Sequence, residues 1–415
     1  MMKKALLSIF LIPSLLLAQE TESSYRVAEL KQDPVMTERL LIFALQTEQW
    51  FSVKRLLAIY LTFFQADQRL ISYANIRLAQ QSFFNYRNRE ARNAFQAVQN
   101  QANLANEERE IVEQYLSVID KRERWQFSGR VNYAYDKNVN KTSSDHHIED
   151  TGFIKGEGML PQKAHGFAYS AEVEKNWNLN GSHNFNFANE ISGKSYWDNH
   201  DYDELTNRTY LGYVFQNAQY RWAIRPFYER QWFGNHRYNW ANGVRMEYRQ
   251  IFAKNWQIST AWEFSQPRYF NRQERNGTIK LASATLVYAF SEKGYLYLGT
   301  DFIREQTREK QYSNDLKSLR AGWKQTWGYS ISTQLNGSIS LRQYKDFASL
   351  GGVLPLNTIR RDKIYTANLT LWKNNWHWYG FTPKVQWRWK RQSSNIPSMF
   401  SYSDNYVQML IEKVF

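Results

Sequence analysis

The spacing of apolar residues changes once along the chain, near Arg124, and divides it into two parts. In residues 25–122 the apolar side chains recur at helical spacing, which places them on one face of an α-helix. Small residues stand at close-packing positions there, as in the paired helices of tetratricopeptide repeats, although a plain helical bundle fits the spacing equally well. The pattern predicts an all-α, tetratricopeptide-like N-terminal domain over residues 22–122. Its helical stretches read "LLIFALQTEQW", "SVKRLLAIYLTFFQ", "RLISYANIRLAQQSFFNYRN", "REARNAFQAVQNQ" and "NEEREIVEQYLSVI".

From Arg124 onward the apolar period is two, the period of a β-strand with two different faces. Val131, Tyr133 and Tyr135, for example, alternate with more polar positions. About 14 such segments of roughly 10 to 15 residues follow one another, and a tilted strand of this length crosses a bilayer. The pattern predicts a 14-stranded antiparallel transmembrane β-barrel over residues 124–415.

The connections between these segments alternate between long and short. The predicted long loops include residues 137–165, "FGNHRYN" at 233–239 and "KDFASLGGVLPLNTIRRD" at 345–362, and the short turns include "AKN" and "KNN". Long loops on one side and tight turns on the other are typical of bacterial outer-membrane barrels, whose long loops face outward. An even strand count leaves both barrel ends on the turn side, so the helical domain is expected in the periplasm.

The segment "FTPKVQWRWKRQ" at 381–392 shows the two faces most clearly. Its odd-numbered positions, from Phe381 to Trp389, are apolar and are expected to face lipid. Its even-numbered positions include Lys384, Arg388 and Lys390, which we interpret, together with Arg391, as a basic ladder in the lumen. Such a ladder either guides an acidic or partly unfolded client or pairs with facing carboxylates as a purely structural device.

Composition and targeting signals narrow the class of protein. Residues 1–18 have the basic start, the apolar run and the small residue of a secretory signal peptide. The chain has no Cys, so disulfides and thiolate metal sites are excluded. From Arg124 onward there are 38 basic and 25 acidic residues, against 13 and 14 in residues 19–123. Secretion makes nucleic acid an unsuitable partner for this basic, aromatic-rich region, and we predict none.

The sequence gives little indication of a catalytic or metal-binding site. Most of the seven His residues lie in or beside predicted outer loops, where solvated side chains are expected. An acidic loop tip around His200 has the composition of a metal or protease cluster, but such tips more often interact with water, divalent ions or lipopolysaccharide. It contains Asp198, His200, Asp201 and Asp203. The sequence predicts a protein that is not an enzyme, with no catalytic residue, no metal ligand and no cofactor.

Several stretches of the second part match one known family in residues and in order. They read "YDKNVN" at 135–140, "AEVEKNWNL" at 171–179, "YERQWFGNHRYNWANGVRMEY" at 228–248, "DFIRE" at 301–305, "RRDKIYTANLTLW" at 360–372 and "GFTPKVQWRWKRQSSN" at 380–395. With these stretches, nearly all of residues 124–415 resembles the surface lipoprotein assembly modulator (Slam) family, the outer-membrane components of type XI secretion. The resemblance implies a periplasmic tetratricopeptide domain followed by a 14-stranded barrel.

The resemblance also implies a function and partners. Members of the family deliver client proteins across the outer membrane, either surface lipoproteins or soluble haem-capturing proteins, which tend to carry a small C-terminal β-barrel domain. Periplasmic chaperones, lipopolysaccharide and the barrel-assembly machinery are further expected partners, and a final strand ending in Phe415 resembles the signal that this machinery recognises. The helical region, of about 100 residues, is shorter than the repeat arrays of the best-known members, which leaves the client type open.

The most family-like polar cluster is "YDKNVN", at the outer end of the first predicted strand. We identify Asp136, Asn138 and Asn140 as a candidate gating loop, while ordinary turn chemistry of Asp and Asn is the alternative interpretation. Two other functions stay open: an exporter of polysaccharide, which would be expected to have a longer repeat array, and a passive basic porin, which would need no helical domain.

Overall fold

The computed structural model describes residues 27–64, 67–101, 104–149, 151–350 and 354–414. The predicted signal peptide and Phe415 lie outside these ranges. The chain forms two compact units, one of helices and one of strands.

The helical unit contains the helices that the apolar spacing predicts, preceded by a single short turn of helix. Asp33 begins the second helix, because its side chain accepts a hydrogen bond from Met36 N at 2.9 Å and Pro34 follows at the first helical position. Asp67 caps the fourth helix in the same way, through Arg69 N at 2.9 Å. The tetratricopeptide-like arrangement stays a prediction. The helices are α1 (Val27–Leu30), α2 (Pro34–Gln46), α3 (Trp50–Phe63), α4 (Gln68–Phe84), α5 (Asn88–Gln99) and α6 (Asn106–Glu123).

An aromatic core joins the last three of these helices. Phe95 is fully buried and stacks on Tyr115 with ring centroids 5.0 Å apart. Arg122 closes this core, with its guanidinium 3.9 Å from the centre of the Phe83 ring and a hydrogen bond to Phe83 O at 2.9 Å. Burial lowers the pKa of Arg122 from its ordinary value.

None of the helices in the described parts of the chain combines the length and the apolar content needed to cross a membrane.

The second unit is a closed antiparallel barrel of 14 strands, as the period-two segments predict. Every strand pairs with its neighbours in sequence, and β1 closes the barrel against β14. The strands are β1 (Gln126–Asp136), β2 (Ala164–Asn180), β3 (His183–Tyr196), β4 (Glu204–Gln216), β5 (Tyr220–Phe233), β6 (His236–Ala253), β7 (Trp256–Tyr269), β8 (Gly277–Ser291), β9 (Gly294–Thr307), β10 (Asn314–Thr326), β11 (Ile331–Leu350), β12 (Leu354–Lys373), β13 (Phe381–Ser394) and β14 (Tyr402–Val414), with a short helix α7 (Pro397–Phe400) before the last strand.

The two faces of the barrel wall have opposite polarity. The outward face is apolar, and residues that are opposite each other in the register share it, such as Leu371 with Val385 and Val385 with Met409. The exposed large apolar side chains of the strands lie mainly on this face. Because the barrel is closed and its outward face is apolar, the unit has the construction of an outer-membrane barrel.

The inward face holds a network of charges on four consecutive strands. Arg208 contacts Glu229 through its Nε at 2.6 Å and reaches Glu263 at 3.3 Å. Arg245 contacts the same Glu263 at 3.0 Å and Glu247 at 2.7 Å. Every one of these carboxylates faces a guanidinium, so the network braces the β4–β7 wall from inside.

Three predicted connections differ from the structure. The predicted long loop at 233–239 is a hairpin with only Gly234 and Asn235 between its strands, both with positive φ of 55° and 61°. Such a pair fits a tight turn whose twist matches the strands, so the polar residues around it continue the pairing. The predicted long loop at 345–362 is mostly strand, since β11 and β12 remain paired far beyond the bilayer-length segment. The predicted short turn "KNN" is a longer connection, residues 374–380.

One face assignment is also wrong. Arg391 pairs with Tyr365, and both lie on the outward face of the wall. Arg391 therefore does not belong to the lumen ladder, because its odd position in β13 follows Trp387 and Trp389 rather than Arg388.

Candidate functional site

The closure of the barrel between β1 and β14, here called the seam, is only partly paired. Among the described residues it contains five residue pairs, from Ser128 with Val414 to Asn132 with Leu410. On the other side of the same strands, β1 forms eleven pairs with β2 and β14 forms twelve with β13. The five pairs lie at the end of the barrel where the chain enters β1, which is the turn side.

Polar side chains on the lumen face fasten the paired part of the seam. Arg130 of β1 forms an ion pair with Glu412 of β14 at 2.9 Å, and Lys384 of β13 binds the same carboxylate. At the last residue pair, Asn132 Nδ2 donates to Gln408 Oε1 at 3.1 Å. Gln408 Nε2 in turn donates to Gln386 Oε1 of β13 at 2.7 Å. These contacts link β1, β14 and β13 at the level where the backbone pairing stops.

Beyond Asn132 the two strands separate. Residues 133–136 of β1 remain paired with β2, and residues 402–409 of β14 remain paired with β13, but the two segments do not pair with each other. A strand edge without a partner leaves backbone donors and acceptors free to bind another strand. The outer half of the seam is therefore an open edge on both sides.

Hydrogen bonds between the first and the last outer loops cross above this open part, and we call them the latch. The first outer loop is residues 137–163, and α7 lies in the last one. Ser143 N donates to Met399 O at 3.2 Å, and the Thr142 hydroxyl donates to the same oxygen at 3.2 Å. Glu149 N donates to the Ser398 hydroxyl at 3.3 Å. The latch connects the two sides of the seam at the end where the strands do not pair.

The predicted gating residues lie at the base of the latch. Asn138 is buried and holds Thr142 through two hydrogen bonds, from its Nδ2 to Thr142 O at 2.7 Å and from Thr142 N to its Oδ1 at 3.1 Å. Asn140 bonds to the far end of the same loop, at Leu160 O, 2.7 Å away. Asp136 lies at the end of β1, 3.3 Å from Lys194 Nζ and within 3.3 Å of Asn138 N. The three residues therefore organise the loop that forms the latch, through contacts that include ordinary turn chemistry.

A buried lysine completes the folding of this loop. Lys155 is 4% exposed, and its ammonium group donates to Ser143 O at 3.0 Å. Burial lowers the pKa of Lys155 from its ordinary value. Ser143 is itself a latch residue, so the loop interior and the latch share one hydrogen-bond network.

The predicted lumen ladder lies on β13, one strand from the seam. Lys384 belongs to the seam itself through Glu412. Arg388 is exposed to the lumen and donates to Asn368 at 3.2 Å, while Lys390 lies 5.2 Å from the centre of the Tyr402 ring. Within the described residues, neither of these two forms an ion pair. The ladder thus contains one structural cation and two cations without a bound carboxylate.

The acidic loop tip forms local pairs instead of a metal cluster. His165 Nδ1 lies 2.6 Å from Asp198, and His200 Nδ1 lies 3.0 Å from Asp203. The hydrogen bond from the backbone N of His165, followed by that from its ring, lowers the pKa of the Asp198 carboxyl. No group of three or more potential metal ligands comes together anywhere in the described ranges.

Sequence reasoning missed the seam, although one signal was present. On the outward face of β14, the apolar residues Val407, Met409 and Ile411 give way to Ser403 and Asn405 toward the outer end. Polar residues on a face that should meet lipid break the alternation in the segment where pairing with β1 is absent.

Comparison with known proteins identifies a family that matches the barrel. Residues 125–415 match the family described as surface lipoprotein assembly modifier. The chain is 31% identical over 393 residues to surface lipoprotein assembly modifier 1 of Haemophilus influenzae, covering 93% of this chain and 79% of that protein. It is 32% identical over 328 residues to a surface lipoprotein assembly modifier of Pasteurella multocida, covering 74% of this chain and 62% of that protein. The hemophilin secretion modulator of Acinetobacter baumannii is 23% identical over 82% of this chain and 71% of its own length.

The match covers the whole described barrel, including the seam strands, and the relatives extend the likeness into the helical unit. The barrel lies in the bacterial outer membrane, and the helical unit that precedes it lies in the periplasm. The chain belongs to the surface lipoprotein assembly modifier family, which is the same family that the sequence resembles.

Proposed function

We propose that this protein is an outer-membrane translocator that delivers specific client proteins to the cell surface or the exterior. The observation that supports this most directly is the seam, a barrel closure that is half open and held by loops. Relatives named for surface lipoprotein assembly and for hemophilin secretion support the same class of function. The clients we propose are therefore surface lipoproteins or secreted haem- or metal-capturing proteins. Delivery requires no covalent chemistry.

The seam suggests the route. Opening it costs the five residue pairs, the Arg130–Glu412 ion pair, the Asn132–Gln408 hydrogen bond and the hydrogen bonds of the latch. Opening any neighbouring strand pair breaks about twice as many backbone contacts. A client with a C-terminal β-barrel domain has strands of its own, which are suited to pair temporarily with an open edge. We propose that the client leaves along the seam while its surface domain folds outside.

The helical unit is suited to receive the client or its escorting chaperone. Three aromatic side chains of α2, α3 and α4 are largely exposed: Phe43 at 50%, Phe51 at 73% and Tyr73 at 52%. Exposed aromatic residues of this size are typical of protein-binding surfaces. We propose that periplasmic capture takes place on this unit, and that removal of residues 22–122 abolishes client display while the barrel still inserts through the barrel-assembly machinery.

Two other functions remain as alternatives. A passive porin would need neither the helical unit nor a half-paired closure. An exporter of polysaccharide would use the lumen, where a network of arginines and glutamates fills the β4–β7 side. Neither alternative accounts for the seam.

The decisive experiment compares the proteins at the cell surface and in the culture supernatant, with and without the gene, by mass spectrometry. Loss of one or two specific proteins, together with their retention in the periplasm, is the expected result. An unchanged surface and supernatant, with altered uptake of small anions, would contradict the proposal and indicate a porin. A plasmid-borne copy that restores the lost proteins is the control.

A further inference from the structure

The outward face of β8–β13 contains an apolar groove. Its floor consists of small residues in register on three adjacent strands, Ala321, Gly337 and Ala367. Its walls are large apolar residues, of which Leu298, Leu319 and Ile339 are 53%, 54% and 51% exposed, with Tyr365 and Trp389 at the far side. The groove, here called the outward groove, has a volume of about 910 Å³.

Basic side chains lie directly above the outward groove, at the outer end of the same strands. We call Lys317, Arg361, Lys363 and Arg391 the basic rim. Lys317 and Lys363 both pair with Leu341 in the register, one step outward from the groove walls, and Arg391 pairs with the wall residue Tyr365. All four rim side chains are exposed, and in the described ranges none of them forms an ion pair.

The rim differs from its basic neighbours, which are already neutralised. Arg304 contacts Asp315 at 2.8 Å, and Lys345 binds the same carboxylate. Within the described residues the rim cations have no such acid, and they face outward toward the outer end of the strands, where lipid headgroups are expected. Charges on the lipid face are tolerated near the interface and are strongly unfavourable at the midplane, so their place favours an anionic headgroup as partner.

We propose that the outward groove and the basic rim form a binding site for lipid A, the acylated, phosphorylated glycolipid of the outer leaflet. Phosphate groups match the guanidinium and ammonium groups of the rim, and acyl chains match the apolar groove below it. The distance along β12 from Lys363 to the floor residue Ala367 is four residues, or about 14 Å at ~3.4 Å per residue. One molecule can therefore place a charged head at the basic rim and its apolar chains in the outward groove.

The charge of the rim selects lipid A over other occupants. A triacylated lipoprotein anchor fits the groove but presents no phosphate to the rim. A phospholipid such as phosphatidylglycerol presents one phosphate, whereas lipid A presents two to a rim of four cations. The site is independent of client delivery, because it faces lipid and contains no seam residue.

The test uses the full mature chain, purified in a non-ionic detergent, with lipid A, phosphatidylglycerol and a synthetic triacylated lipopeptide as separate probes. Native mass spectrometry and thermal unfolding measure binding. We expect the protein to retain lipid A during native mass spectrometry. We also expect lipid A to raise the Tm, and the other two probes to leave it unchanged. The triple variant Lys317→Gln/Lys363→Gln/Arg391→Gln is expected to weaken lipid A binding at least tenfold, and Lys175→Gln, an outward cation of β2 near the turn side, is the matched control.

A second variant tests the groove separately from its charge. Gly337→Leu fills the floor, and a Cβ there meets only Thr366 O at an ordinary 3.7 Å, so the strand accepts it. We expect loss of lipid A binding with unchanged folding, whereas Ala171→Leu, on the exposed outward face of β2, leaves binding intact. Equal binding of phosphatidylglycerol, preferential binding of the lipopeptide, or lipid A binding that survives both variants would each overturn the proposal.

Discussion

Asn132 Nδ2 donates a hydrogen bond to Gln408 Oε1 at 3.1 Å, across the point where β1 and β14 stop pairing. Below this contact the strands form a continuous ladder, and above it each strand keeps only its other neighbour. The bond thus marks the boundary between the closed and the open part of the barrel. Both side chains face the lumen.

A disulfide across the seam should stop delivery. Val131 and Ile411 are directly opposite in the register, and opposed residues of antiparallel strands lie about 4.5–5.5 Å apart, within reach of a disulfide. The chain has no Cys of its own, so Val131→Cys/Ile411→Cys introduces a single bridge. We expect oxidised cells to lose client display and reduced cells to regain it, as measured by surface immunolabelling of the client.

The control bridge for that experiment is Ser318→Cys/Ser340→Cys, between β10 and β11, where the two hydroxyls already lie 2.8 Å apart. This bridge should leave delivery unchanged in both redox states. Undiminished delivery through an oxidised seam would rule out the seam route while leaving the translocator itself standing.

Loosening the base of the latch should increase the motion of the first outer loop. Asn138→Ala removes both hydrogen bonds to the backbone of Thr142, which is half-buried, and the loss costs about 1 kcal/mol for each bond. We expect faster hydrogen exchange over residues 137–163 and unchanged exchange in the strands. His146→Ala, at an exposed position of the same loop, serves as the comparison, and equal exchange in the two variants would show that Asn138 does not hold the latch.

The loop tip at residues 197–203 should loosen in acid. Its contact with His165 lowers the pKa of the Asp198 carboxyl in the folded protein, so the contact contributes stability above the ordinary Asp pKa of about 3.9. That contribution is lost as the pH falls through the lowered folded-state pKa. The protection of the loop against hydrogen exchange, relative to the intrinsic exchange rate at each pH, should therefore fall below about pH 4. Asp198→Asn should make the exchange of the loop faster at neutral pH and remove its acid dependence, and an acid step that persists in this variant would assign the effect to another group.

Arg388 and Lys390, which form no ion pair within the described residues, should affect delivery without affecting the barrel. Arg388→Glu/Lys390→Glu reverses the charge on the lumen wall beside the seam. We expect about a tenfold loss of client at the surface, because the new carboxylates repel an acidic client. Heat-modifiability on gels reports barrel assembly and should not change. If the barrel loses heat-modifiability while the client still passes, the ladder is structural. Lys175→Glu, at an outward cation of β2 that belongs to neither the ladder nor the basic rim, is the matched control for charge.

Two phenylalanines of the helical unit should separate folding from capture. Phe95→Ala removes a fully buried ring and should destabilise the unit by about 3–5 kcal/mol, visible as loss of protease resistance of α4–α6 in the full chain. Phe51→Ala removes a ring that is 73% exposed, so the fold should be unaffected while client capture weakens, measured by crosslinking in the periplasm. Normal capture by the Phe51 variant would show that the Phe51 ring is not part of the surface that receives the client.

The sequence predicts the number of strands and their faces because both depend on local alternation. Positions such as Leu371 and Val385 could be assigned to the outward face before any pairing was known. The hairpin at Gly234 and Asn235 was missed because polar neighbours resembled a loop, although two residues able to adopt positive φ are a known sign of a tight turn.

The candidate site was harder to predict, since it depends on contacts between distant residues. Arg130 and Glu412 are 282 positions apart, and only the closed register brings them together. The loop residues Asp136, Asn138 and Asn140 could be found from their composition, but that their loop binds α7 could not. The basic rim shows the same limit, because its members come from three strands and share a site only through the register.

Because the five seam pairs lie at one end of the β1–β14 closure, the force needed to separate the two strands depends on the end from which they are pulled apart. Two strands that are paired at one end only separate from their unpaired end, and here the unpaired end, which only the latch bridges, faces the outside of the cell. Tension from a domain that folds at the surface would peel the strands apart one pair at a time. A chain pushing from the periplasm would instead meet all five pairs and the Arg130–Glu412 ion pair at once. If clients leave along the seam, as proposed above, the barrel should therefore open more readily when a domain pulls from outside than when a chain pushes from within.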